Sequence, residues 1–138
     1  MSEYPRDLTA SEISSALHAL VRGLAERLLT GPAPEHAVLR KQLKTGRLAR
    51  ITLTGAGLYA HFEHEPGTPR VSPADIIGGE VLMDVYSLDA PAGSLVKVSD
   101  GWLDFVEIYT FGNCPWPDEF QILAFGEATP LPIAGRTT

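Results

Sequence analysis

Apolar residues along this chain change their spacing once, near residue 47. Before that point they recur every three or four positions, and after it they alternate. Ile13, Leu17, Leu20, Leu24 and Leu28 form one stripe, with Ala16 and Val21 beside it and Ser14, Arg22, Glu26 and Arg27 on the other side. That spacing predicts an amphipathic helix over about 10–30, following an extended lead-in over 1–8. Thr9 and Glu12 have the T-x-x-E spacing of a capping box, and Thr30-Gly31-Pro32 closes the segment. A second helix is predicted over about 34–45. Pro34 opens it without loss of a needed N–H, Ala37, Val38, Leu39 and Leu43 are its apolar residues, and Gly46 ends it.

From Arg47 to Glu127 the period is two, which predicts strands joined by turns. A two-residue turn at Gly55-Ala56 sets Leu53 against Leu58, Ile51 against Ala60 and Ala49 against Phe62, one wholly apolar face. The other face would carry Leu48, Arg50, Thr52, Tyr59, His61 and Glu63. Residues 66–79 hold three prolines and three glycines and read as a long loop. Strands follow over Glu80–Leu88 and Phe120–Glu127, with 128–138 as a frayed tail. Between them Asp100-Gly101 is a strong hairpin signal, because both residues accept the positive φ of a type I′ turn. Strict alternation then opposes Val98 to Leu103, Val96 to Phe105, Ser99 to Trp102 and Lys97 to Asp104. It also places Glu107 on the apolar face, opposite Ser94.

The whole is an α+β domain: two N-terminal helices packed on a mostly antiparallel sheet of about six strands in meander order. A single domain over 1–138 fits the length of 138 residues, 44% hydrophobic and 20% charged. A lone cysteine, Cys114, forms no internal disulfide and fits a reducing cytoplasm. The formal charge of −6 argues against nucleic acid as a partner, and the sequence contains no run apolar enough to suggest a membrane span.

Charge and spacing exclude several chemistries. The cluster His61-Phe62-Glu63-His64-Glu65 invites a metal, but on a strand His64 points away from the others, so no metal site is expected. Trp116-Pro117-Asp118 spells a phosphatase acid loop, yet Phe120 rather than arginine stands six residues after Cys114. No nucleophile elbow, phosphate loop or dinucleotide fingerprint occurs, and no cofactor is expected. Arg40, Lys41, Lys44 and Arg47 gather at the end of the second helix. They are the best candidates for anion contact, against the plainer reading of a solvated helix end. Glu107 remains the misplaced group: a carboxylate on an apolar face must be paired, hydrogen-bonded or protonated.

Three segments carry a resemblance. Gly57-Leu58-Tyr59-Ala60-His61-Phe62, the run Asp100–Phe111 and Trp116-Pro117-Asp118-Glu119 resemble those of a group of small bacterial proteins of unassigned function. The pattern picks out His61, Glu107, Tyr109 and Trp116. It implies neither a reaction nor a cofactor, and Asn113-Cys114-Pro115 departs from it. By analogy of fold, small acidic α+β proteins of this sort serve in bacteria as immunity or partner-binding proteins.

The leading expectation is therefore a non-enzymatic cytoplasmic module that binds a protein partner or its own copy as a homodimer, an immunity-type inhibitor of a basic partner being one form. Tyr59, Glu63, Trp102, Asp104, Trp116, Asp118 and Glu119 are its candidate contacts, as aromatics beside acids. The alternative is a small enzyme or ligand-binding domain with Glu107, His61 and Tyr109 in a pocket between helices and sheet. Strict alternation puts Glu107 and His61 on opposite faces, which opposes a shared site unless a bulge intervenes.

Overall fold

The computed structural model describes residues 4–72, 75–112 and 114–133. The chain runs β1 (Arg6–Thr9), a 3₁₀ turn (Ala10–Glu12), α1 (Ser15–Leu28), α2 (Pro34–Thr45), β2 (Arg47–Leu53), β3 (Gly57–Glu63) and β4 (Ile76–Gly78). It continues through β5 (Met83–Val85), β6 (Gly93–Ser99), β7 (Trp102–Tyr109) and β8 (Ile122–Phe125). Six strands form one antiparallel sheet in the order β1-β2-β3-β7-β6-β4, and β5 pairs with β8 in a separate two-stranded ribbon.

The α+β class stands, but the meander order does not. β7 pairs with β3 and β6 with β7, so the hairpin is inserted into the sheet with its second strand inward. Two edge strands were not anticipated. Arg6–Thr9, expected as a lead-in, pairs with Arg50–Leu53, and Ile76–Gly78, expected within a loop, pairs with Val96–Val98. The capping box of Thr9 and Glu12 is real, with the Thr9 N–H donating to Glu12 Oε1 at 2.9 Å. It caps the 3₁₀ turn, however, and α1 begins at Ser15 with Ser14 Oγ accepting from the Leu17 N–H.

The two helices cap each other. Arg22 of α1 donates to the Leu43 and Gly46 carbonyls at 2.6 and 3.0 Å, and Arg40 of α2 donates to those of Leu29 and Gly31 at 2.6 and 3.1 Å. The last carbonyls of a helix have no partner within it and attract cations, so each guanidinium satisfies the other helix's end. Of the expected anion-binding cluster, Arg40 is thus engaged internally and Arg47 pairs with Glu63.

One apolar core joins Leu20, Leu24 and Leu28 of α1, Leu39 and Leu43 of α2, and Ile51, Leu58, Val96, Leu103, Val106 and Ile108 of the sheet. α1 lies against β6 and β7, and α2 against β7. Gln42, 1% exposed, locks α2 to the hairpin. Its Nε2 donates to the Pro69 and Gly101 carbonyls and its Oε1 accepts from the Leu103 N–H at 2.7 Å. Asp100 and Gly101 have φ of 52° and 80°, as a type I′ turn requires.

The expected tail is docked as far as it is described. Thr129 exchanges two backbone hydrogen bonds with Glu80, the Leu131 N–H donates to the Leu28 carbonyl, and Leu131 and Ile133 are buried. His36 fastens the same segment. Its Nδ1 accepts from the Ala33 N–H, which leaves the proton on Nε2 to donate to the Leu131 carbonyl at 2.7 Å. Residues 134–138 of the expected tail lie outside the described residues.

Candidate functional site on the outer sheet face

Two bulges decide which side chains share the outer face. β2 and β3 keep the expected pairs Leu53 with Leu58, Ile51 with Ala60 and Arg50 with His61, but Leu48, not Ala49, opposes Phe62. Ala49 is the extra residue, and Leu48 turns into the core. The hairpin repeats this. Val98 opposes Leu103 and Ser99 opposes Trp102 as expected, but Lys97 then opposes Phe105, Val96 opposes Val106 and Leu95 opposes Glu107. Asp104 is the extra residue. A bulge leaves one residue unpaired and reverses the facing of everything beyond it relative to simple alternation. Both bulges fall at one level of β3, between His61 and Phe62.

Three expectations change accordingly. Phe105 leaves the core face for the outer one, and Val106 and Ile108 take the buried positions. The Lys97–Asp104 ion pair does not form. Asp104 instead accepts from Ser99 Oγ at 2.7 Å, with His61 Nδ1 4.0 Å away. Glu107 is not on the apolar face and does not oppose Ser94. It stands directly across from Tyr59, in line with Phe105 and Tyr109.

The outer face therefore brings together Tyr59 and His61 from β3 with Phe105, Glu107 and Tyr109 from β7, all half-buried. Tyr59 meets Phe105 edge to face at 5.2 Å, and His61 meets the same ring at 5.8 Å. The Tyr109 ring lies over Gly93, where a Cβ would fall 2.3 Å from the ring. Partial burial raises the Glu107 pKa above its ordinary value, and the neighbouring Tyr59 hydroxyl opposes part of that rise. Burial and then the neighbouring Glu107 carboxylate push Tyr59 up. Burial and then the charges of Glu80 and Glu107 push Tyr109 up. His61 is pushed down by burial and by Arg50, with Asp104 and Asp7 pulling the other way.

The residues expected as contacts do not form one surface. Tyr59 belongs to the face just described. Glu63, Trp102 and Asp104 line a separate hollow of about 420 Å³ with Phe62, His64, Ser99 and Leu103. There Trp102 donates to the Thr68 carbonyl and lies under the Arg70 guanidinium at 4.4 Å. Trp116 is only 8% exposed, packed on Phe120, with its backbone N–H donating to the Gly55 carbonyl, so it presents little contact surface. Asp118 and Glu119 beside it are exposed. The metal-like cluster disperses: His61 faces outward, Glu63 pairs with Arg47 and His64 Nε2 meets the Leu103 carbonyl.

Sequence reasoning passed over Phe105 as a site residue, and the polar side chains Gln42 and His36 as anchors. For Phe105 the missed signal was Glu107 itself: shifting β7 by one position buries Val106 and Ile108 and frees the carboxylate.

Among the described residues no helix is long and apolar enough to cross a membrane. Comparison with known proteins finds no matching family model, no matching curated protein and no matching solved structure.

Proposed function

We propose that the chain is a non-enzymatic protein-binding module that presents the outer face of its six-stranded sheet to a partner. In this reading both helices are packed on the opposite face, behind Leu58, Val106 and Ile108, and leave the Tyr59 side free. The observation that favours it is the row of half-buried aromatics around a carboxylate on an open sheet surface, since interfaces concentrate binding energy in such aromatic anchors. Ile77, 55% exposed at the β4 edge, extends the apolar part of that face. An inhibitor that covers a basic partner in a bacterial cytoplasm is one form such a module takes.

A second reading has one observation in its favour. The Asp104 bulge puts Glu107 and His61 on the same face, which removes the topological objection to an acid–base pair completed by Tyr109. Those groups lie on a sheet face, however, whereas ligand and catalytic sites are concave.

Site-specific photo-crosslinking tests the binding reading. With p-benzoylphenylalanine in place of Phe105, a discrete protein adduct is expected in cells, and none with the same group in place of the exposed Ala19 of α1. An adduct of two copies would make the partner the chain itself. Adducts that are equal at both positions, or absent at both, would sink the reading.

A further inference from the structure

Glu107 is a half-buried carboxylate without a cation. Among the described residues no lysine or arginine forms an ion pair with it. Its walls are apolar or aromatic: Phe105 and Tyr109 lie two positions away on the same strand, Tyr59 stands opposite on β3 and Leu95 opposite on β6. Lys97, the nearest basic residue on that side by register, faces Phe105 one rung away. A carboxylate held among rings and left uncompensated raises its own pKa, as this one does, and is stabilised by any cation that reaches it.

The chemistry that fits is a flat cation. A guanidinium can lie on an aromatic face and at the same time donate two N–H groups to a carboxylate, which a compact ammonium does less well. The chain uses this arrangement on itself: the Arg70 guanidinium lies 4.4 Å from the Trp102 ring while its NH1 is 3.2 Å from Asp100. Tyr59, Phe105 and Glu107 supply the same ring-and-carboxylate pair with the arginine missing.

We propose that the outer face recognises an arginine side chain of a protein partner, whose guanidinium lies against the Tyr59 and Phe105 rings and pairs with Glu107. This rests on the binding reading above and names the partner's chemistry. Even with the Tyr59 side chain opposite it, the carboxylate has two oxygens and about four lone-pair sites with which to accept from an incoming guanidinium.

The test is a titration of the ¹⁵N-labelled full chain with N-acetyl-arginine amide, with the citrulline and lysine amides in parallel. Saturable shifts in the millimolar range are expected at the amides of Tyr59, Phe105, Glu107 and Tyr109, weaker with lysine and absent with citrulline, which has the same shape without the charge. Glu107→Gln should weaken binding about tenfold, the effect of losing a charged hydrogen-bond partner. Phe105→Leu, which keeps volume and removes the ring, should also weaken it and serves if the first variant fails to fold. Equal shifts with citrulline, shifts elsewhere on the chain, or no shifts overturn the proposal. If the cross-linked adduct at position 105 survives Glu107→Gln while the arginine amide fails to bind, arginine recognition is wrong and the binding surface stands.

Discussion

Tyr59 and Glu107 face each other across β3 and β7, on the side of the sheet away from the core. Their meeting depends on one extra residue, Asp104, three positions upstream of the glutamate. Without it Glu107 would point into the core and Tyr59 would have lost its partner.

The raised pKa of Glu107 makes stability depend on pH in a stated direction. The folded chain holds this proton more tightly than the unfolded chain, whose ordinary value is 4.5. Its contribution is therefore fully present below that value and is lost as pH rises through the raised folded value. Glu107→Gln removes the dependence. Denaturation curves should show the variant more stable than the parent at pH 7, by less than about 1 kcal/mol because water screens a half-exposed group, and equal to it near pH 3.

His61 should respond to its neighbours with opposite signs. Its pKa lies below the ordinary 6.5, so its contribution to stability is present above that value and is lost as pH falls through the depressed folded value. Arg50→Ala removes a like charge and should raise the His61 midpoint in an NMR titration. Asp104→Asn removes an opposite charge and should lower it further. Movement in the same direction in both variants would show that burial and repacking outweigh these charges.

Gln42 holds α2 to the hairpin through three backbone groups. Gln42→Ala leaves the Leu103 N–H without a partner in the interior, while the Gly101 carbonyl keeps the Val71 N–H. The expected loss is about 1–3 kcal/mol, the cost of one orphaned buried group. Urea denaturation measures it, and hydrogen exchange should quicken first at Leu103.

Two glycines should respond oppositely to alanine. A Cβ on Gly57 would lie 1.9 Å from the Ile108 carbonyl oxygen of the paired strand, so Gly57→Ala should destabilise the fold severely or prevent it. Gly23 in α1 has nothing within 4 Å of that position, and Gly23→Ala should add up to about 1 kcal/mol. Thermal melts of the two variants read both effects.

Much of the framework was legible because it rests on local periodicity. The stripe from Leu17 to Leu28, Pro34 at the head of α2, and the turns at Gly55 and Asp100-Gly101 each express a rule that acts over a few residues. What escaped depends on distant partners. Arg6–Thr9 is a strand only because β2 has a free edge beside it, and Ile76–Gly78 only because β6 has one. The bulges were invisible to a period of two, which assumes one residue per rung. Asp104 and Ala49 each break it once, and each error propagated along its strand, turning Phe105 inward and Glu107 with it. Alternation sets Tyr59 and His61 on the outer face, where they are, and Glu107 on the other, and only the bulge joins the three. Trp116 was misjudged for another reason, since its burial depends on Phe120 and the loop at Gly55.

The facing of β7 decides which side chains form the outer face, and thiol labelling reads it directly. Single cysteines are placed at Glu107 and at Ile108 in a chain whose own Cys114 is serine, and their reaction with a maleimide is timed under native conditions. The bulge predicts that position 107 reacts quickly while 108 reacts only as the chain opens. Slow reaction at 107 with fast reaction at 108 would mean that strict alternation holds, that Glu107 lies in the core, and that the outer face described here does not exist.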